Sequence, residues 1–241
     1  MYVIIPASDM ETTLVPMSKP MCKTLVPING KPVLQYILDE LYSYQAYVDE
    51  IVIVKNDVSD IEEYLKYNKQ DDFFLTKIHC VNGKDYKHFV NPDYNFLDDI
   101  YTAVEFLVDE MNVSPSEILV WTADELVFNT KRLTDTSTGS FFCMNGLKEV
   151  KIYRFDYFVG VVNTLVYLKN DKLPHTIKDF MDSYGAKDKL NCLTDFGDYK
   201  EWTDRTAYYK LQTALMQETD HASVKIEVDL DKEVITKTNK Y

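Results

Sequence analysis

Three short runs, Tyr2–Pro6, Ile51–Val54 and Ile118–Trp121, are apolar at nearly every position, with no polar residue interleaved. A strand with one wet face would alternate, so these segments belong inside a sheet covered on both faces, the arrangement of parallel α/β sheets. The stretches between them supply the covers. Val33, Leu34, Ile37, Leu38 and Leu41 recur at helical spacing after the turn signal Asn29-Gly30 and after Pro32, which suits a first helical position. Ser59 or Asp60 can cap a second helix carrying Ile61, Tyr64 and Leu65, and Ile100, Ala103, Val104 and Leu107 make one face of a third over Leu97–Met111. Phe73–Val81 is expected as a further strand. This β-α-β-α alternation predicts right-handed crossovers and an α/β fold: a Rossmann-like, mixed but mainly parallel sheet flanked by helices.

The second half is less regular. Ser140–Met144, Lys151–Phe155 and Phe158–Leu168 read as strands, Thr176–Tyr184 and Tyr199–Gln217 as helices, and Val224–Leu230 as a late strand. No linker or repeat divides the chain, so one domain is expected over 1–241, with one ligand-binding half at about 1–130 and a second half at about 131–241 that carries an inserted substrate-facing portion. Open parallel sheets bind ligands beyond the carboxyl ends of their strands. That directs attention to the residues just after Pro6 and Trp121.

Charge narrows the ligand class. With 39 acidic and 26 basic side chains the formal net charge is -13, which disfavours nucleic acid or an anionic membrane as the main partner. The most apolar stretch, Tyr157–Leu168, is too short to span a bilayer, and Met1–Pro6 has no basic region before its apolar run. Cys22, Cys80, Cys143 and Cys192 are far apart in sequence, with no C-x-x-C pair, and read as scattered buried thiols in a reducing cytoplasm. Abundant Tyr and Phe in the second half make a homodimer interface an expectation.

After the first strand the chain runs Ile4-Ile-Pro-Ala-Ser-Asp-Met-Glu-Thr-Thr-Leu14 and then Lys19-Pro-Met-Cys-Lys-Thr-Leu-Val-Pro-Ile-Asn-Gly-Lys-Pro32. This resembles the sugar-phosphate nucleotidyltransferases and the related choline-phosphate cytidylyltransferases. Their first strand leads into a Gly-x-Gly-Thr-Arg-Leu loop and a Pro-Lys-x-Leu-x-Pro-x-x-x-Lys-Pro segment, and the second segment is matched almost throughout. Ile118-Leu-Val-Trp-Thr-Ala-Asp124 is similar to the family's strand ending in Gly-Asp, with Ala123 in place of glycine. Leu193-Thr-Asp-Phe-Gly-Asp198, followed by Trp202 and Tyr208, is similar to its Trp-x-Asp-Thr-Gly or Asp-Phe-Gly element. Asn91-Pro-Asp-Tyr94 and Ile100-Tyr101 are also similar to a segment of the choline-type members, with Leu97-Asp98-Asp99 where those usually have Thr-Asn-Asn.

The resemblance spans roughly residues 1 to 210 and implies transfer of a nucleoside monophosphate from a nucleoside triphosphate to a small phosphorylated acceptor. Lys23, Asp124 and Asp195 are the implied catalytic residues, Asp124 and Asp195 holding Mg²⁺. Ala7, Ser8, Asp9, Glu11, Thr12, Thr13 and Lys31 are the implied triphosphate contacts. Each also has a plainer reading: Lys23 as a solvated loop charge, Asp124 as a turn cap, Asp195 as the start of a turn before Gly197, and Trp202, Tyr208 and Tyr209 as core.

The first loop departs from the family pattern. Aligned on Ala7 and Leu14, Asp9 and Glu11 stand at the two glycines and Thr13 at the arginine. The chain as a whole has only 7 glycines in 241 residues, below the usual share of roughly 7%. A carboxylate about 4 Å from a phosphate charge costs on the order of 4 kcal/mol at an effective dielectric near 20. Three explanations remain open at this level. The loop swings aside and Lys19, Lys23 and Lys31 serve; or Asp9 and Glu11 ligate a further divalent ion; or triphosphate is no longer used and the protein is a catalytically silent relative binding another ligand or a protein partner. A nucleotide-sugar-dependent glycosyltransferase on a similar scaffold is the remaining alternative.

Overall fold

The computed structural model describes residues 1–8, 10–11, 21–56, 60–67, 77–83, 96–113, 116–135, 139–155, 191–221, 225–229 and 234–238. Strand β1 (Tyr2–Pro6) leads to β2 (Met10–Glu11), which pairs antiparallel with β3 (Met21–Cys22). A tight hairpin follows, β4 (Pro27–Ile28) against β5 (Lys31–Pro32). Asn29 and Gly30 turn it with φ of 50° and 76°, the positive values that a two-residue hairpin loop matched to strand twist requires. Helix α1 (Val33–Tyr42), β6 (Glu50–Lys55), α2 (Ile61–Tyr67) and β7 (Ile78–Asn82) come next. Helix α3 (Phe96–Glu105) runs into a π-helical turn at Phe106–Glu110 before β8 (Ile118–Trp121) and β9 (Leu126–Phe128). The remainder comprises β10 (Phe141–Asn145), β11 (Lys148–Phe155), β12 (Asn191–Leu193), β13 (Asp198–Lys200), α4 (Arg205–His221), β14 (Lys225–Asp229) and β15 (Val234–Thr238).

Seven strands form the main sheet in the order β12-β10-β11-β8-β1-β6-β7. The pairs β8-β1, β1-β6, β6-β7 and β10-β12 are parallel, while β11 is antiparallel to both β10 and β8. The sheet is therefore mixed and mainly parallel, as the apolar runs predicted. Alternation within those runs divides them between two cores. Val3, Ile5, Ile51, Ile53, Leu119 and Trp121 share one core with Leu34, Ile37 and Leu41 of α1 and Ile61 of α2. Ile4, Val52, Val54, Ile118 and Val120 share the other with Leu97, Ile100, Val104 and Leu107 around α3. Helices thus cover both faces of the central strands.

Several expected elements shift. The strand expected over Phe73–Val81 is β7, Ile78–Asn82, with residues 71–76 outside the described set. That expected at Lys151–Phe155 begins earlier, at Lys148, because Gly146 (φ 61°) turns a β10-β11 hairpin. The helix expected from Tyr199 starts at Arg205. Tyr199 instead pairs with Val127 in the β9-β13 ladder, and the Asp204 carboxylate caps the helix by accepting from the N–H of Thr206 (2.7 Å) and Ala207 (2.9 Å). The late strand expected at Val224–Leu230 is β14, paired with an unanticipated β15. The strand expected at Phe158–Leu168, the helix at Thr176–Tyr184 and the Asn91-Pro-Asp-Tyr94 segment lie outside the described residues. Among those described, no helix is long and apolar enough to cross a membrane.

Candidate functional site

The carboxyl ends of three parallel strands are laced together. The Ala7 N–H donates to the Val54 carbonyl (2.8 Å) and the Ala123 N–H to the Pro6 carbonyl (3.1 Å), so the ends of β1, β6 and β8 form one rim. This is the rim where an open parallel sheet receives its ligands. The rim brings together Ala7 and Ser8, Asn56, and the turn Thr122 to Glu125.

Ser8 is held from two sides. Its hydroxyl donates to Asp99 Oδ2 at 2.8 Å and its N–H reaches the same oxygen at 3.4 Å, while its carbonyl accepts from Asn56 Nδ2 at 2.7 Å. Asp99 lies buried in the first turn of α3. Both Ala7 and Ser8 therefore direct their backbone donors into the fold. Asp9, Thr12 and Thr13 lie outside the described residues; Glu11 is placed by its backbone in β2, opposite Met21.

Asp124 is anchored at both carboxylate oxygens. Its Oδ1 accepts from the Thr122 hydroxyl at 2.6 Å and its Oδ2 from Lys151 Nζ at 2.9 Å. Burial pushes its carboxyl up, but Lys151, the Thr122 hydroxyl and the charge of Lys23 outweigh this and hold it below the usual range. Lys23 opens a single helical turn, Lys23–Leu25, immediately after β3, and its field reaches Asp124 from there. Beside it Glu125 is only 4% exposed; burial, and then the Asp124 charge, push its carboxyl up to about 7. Among the described residues Glu125 Oε2 has no hydrogen-bond partner.

The other expected residues have different surroundings. Lys31 pairs with Asp39 and lies 4.2 Å over the Tyr36 ring, along α1. Asp195 is exposed and pairs with Arg132 at 3.5 Å. In the β9-β13 ladder Leu126 pairs with Lys200 and Phe128 with Asp198. Asp124 precedes Leu126 and Asp195 precedes Asp198, so the two acids flank opposite ends of an antiparallel ladder. Trp202 is fully buried in the core shared with Trp121, whereas Tyr209 is half exposed.

This arrangement bears on the magnesium that the sequence resemblance implies. Carboxylate oxygen is the right donor for that ion, which binds at 2.0–2.1 Å and keeps much of its shell as water and phosphate. As placed, however, Asp124 already accepts from a hydroxyl and an ammonium, and Asp195 is beyond the far end of the ladder with its own arginine. Among the described residues no group of three His, Cys, Asp or Glu is gathered to hold a metal. The pair Asp124 and Asp195 does not fit a shared ion in this arrangement.

Lys151 and Thr122 were not singled out in the sequence. Thr122 lay within the quoted strand motif, where a hydroxyl two residues before an acid is a local signal. Lys151 had none, because it lies 27 residues from Asp124 in the chain and its approach depends on β11 pairing with β8.

No protein-family model matches the sequence, and no curated protein sequence matches it either. Solved structures do. A nucleoside-diphosphate-sugar pyrophosphorylase from Vibrio cholerae RC9 superposes with a TM-score of 0.65 at 9% identity, over 88% of this chain and 99% of that one. UDP-glucose pyrophosphorylase in complex with UDP-glucose gives 0.64 at 14% identity, over 90% and 98%. The UDP-glucose pyrophosphorylase from Acinetobacter baumanii gives 0.60 at 11%, over 92% and 99%. At such identities the likeness is one of fold: this chain has the α/β fold of the sugar nucleotidyltransferases.

Proposed function

We propose that this protein is a nucleotidyltransferase that moves a nucleoside monophosphate from a nucleoside triphosphate to a small phosphorylated acceptor of the sugar 1-phosphate or phosphocholine type. The observation that carries the reading is the Thr122-Asp124-Lys151 constellation, within the field of Lys23, at the carboxyl end of β8 in a fold shared with nucleotide-sugar pyrophosphorylases. A phosphate oxygen of the acceptor attacks the α-phosphorus and forms the new P–O bond. The bond from that phosphorus to the bridging oxygen breaks, and pyrophosphate leaves with the electron pair.

Every reactant is an anion, so the protein's task is positioning and charge compensation. Lys23 and Lys151 supply compact positive charge, and Asp124 fixes where the Lys151 ammonium sits. The triphosphate arrives as its magnesium complex. In this reading the chain works as one domain, with the nucleotide on the side of residues 1–130 and the acceptor on the side of 131–241. Of the four cysteines expected as buried thiols, Cys22 and Cys143 are buried, Cys80 is partly buried and Cys192 is exposed; in this reading all four remain reduced thiols in the cytoplasm.

A second reading has its own support. Ala7 and Ser8 spend their N–H groups on Val54 and Asp99, and acids replace the loop glycines, which favours a catalytically silent relative that binds a different ligand. Pyrophosphate release decides between them. Under the transferase reading at least one of the four common triphosphates, with magnesium and a phosphorylated acceptor, releases pyrophosphate, and Asp124→Asn lowers the rate by about a hundredfold or more. Silence with every triphosphate and acceptor would leave the second reading standing.

A further inference from the structure

We propose that Lys151 is the resident cation of this site: its ammonium holds the place on Asp124 that a protein-ligated divalent ion would take, so the protein binds no free divalent ion through Asp124. The assignment concerns the same rim as the transferase reading and rests on that reading only for the identity of the anions that Lys151 and Lys23 would meet.

Three features of the structure support it. Lys151 Nζ stands 2.9 Å from Asp124 Oδ2, and the other oxygen takes the Thr122 hydroxyl at 2.6 Å. An ion at ligand distance from Oδ2, about 2.1 Å, would lie within a few ångströms of the ammonium and repel it.

The lysine is also fixed at its root. Its carbonyl accepts from the Thr122 N–H at 3.1 Å and its own N–H donates to the Glu125 carboxylate, so β11 clasps the 122–125 turn from both sides of the residue. Withdrawing the ammonium would leave the Asp124 carboxylate, with its side chain only 16% exposed, short of a partner. Finally, the second carboxylate that an ion would want is held elsewhere, since Asp195 pairs with Arg132 beyond the opposite end of the β9-β13 ladder. Lys151 thus supplies the charge, and Thr122 the hydrogen bond, that complete the shell of Asp124.

The test is a titration of free Mn²⁺, followed by its electron paramagnetic resonance signal, without nucleotide. Wild type and Asp124→Asn should deplete the signal equally. Lys151→Met should bind Mn²⁺ more tightly by about tenfold or more, the gain should vanish in Lys151→Met/Asp124→Asn, and Lys151→Arg should show none. The idea is overturned if wild type binds Mn²⁺ in a manner that Asp124→Asn removes, or if a Lys151→Met protein with a native circular-dichroism melt gains nothing. The comparison of wild type with Asp124→Asn stays decisive even if Lys151→Met folds poorly. None of these outcomes depends on turnover, so absence of pyrophosphate release would remove the transferase reading and leave the Mn²⁺ result to judge this one.

Discussion

Glu125 gives the rim a pH signature of its own. Its carboxyl is pushed from 4.5 up to about 7, first by burial and then by the neighbouring Asp124 charge. Below about pH 4.5 the folded and unfolded chains both hold the proton, so stability is unaffected by this group. As pH rises from there toward 7 the unfolded chain has released the proton while the folded one retains it, and stability falls across that window. Asp124, whose carboxyl is held low, acts in the opposite sense and below about pH 4, so the two effects separate. Glu125→Gln should therefore flatten the decline in melting temperature between pH 4.5 and 7 and leave the protein more stable than wild type at pH 8. Parallel slopes for the two proteins through that window would show that Glu125 does not carry the effect.

Between elements, the short β9-β13 ladder does much to shape the site, because it sets which acids share an end. Glycine is required there by space rather than by φ. A Cβ on Gly197 would come 2.6 Å from Val127 Cγ1 and 2.8 Å from the Phe128 carbonyl oxygen, and a backbone carbonyl in a paired strand has little room to yield. Gly197→Ala should cost about 1–3 kcal/mol, read as a lower denaturant midpoint. An unchanged midpoint would mean that β13 can move away from β9 at little cost. The end of β9 is fastened independently. Glu40 of α1 accepts from the Asn129 N–H (3.0 Å), the Thr130 N–H (3.1 Å) and the Thr130 hydroxyl (2.9 Å). Helix α4 in turn holds the Asn29-Gly30 hairpin: Tyr208 donates to the Pro27 carbonyl at 2.7 Å and Gln212 accepts from the Asn29 N–H at 2.6 Å.

For the whole molecule, a net charge of -13 disfavours a polyanionic polymer as partner, and the proposed ligand rim lies at one end of a mainly parallel sheet. A ligand that binds only the folded chain adds about 2.7 kcal/mol at a hundredfold excess over its Kd, which in a chain of this size is a rise of several degrees. At least one magnesium triphosphate should raise the melting temperature by that much, and duplex DNA should leave it unchanged. A rise with DNA would refute the charge argument, and no rise with any triphosphate would count against nucleotide binding. The architecture behind these expectations was legible in the chain because each central strand carries an unbroken apolar run and each covering helix a single apolar stripe. The β9-β13 ladder was not legible, since three-residue strands leave too little pattern and Tyr199 alternates as readily with a helix as with a strand.

The sequence by itself determined the sheet, its covering helices, the placing of Asp124 at the end of β8 and the acid-for-glycine change in the first loop. Those features are written in residues close together in the chain, where periodicity and motif spacing suffice. Only the tertiary structure decided that Lys151 sits on Asp124, that Asp99 claims Ser8, and that Asp195 faces Arg132 beyond the other end of a ladder. Each of these joins segments brought together by strand pairing or helix packing. Which charge meets which was fixed by strand register and side-chain reach, quantities that no local pattern encodes.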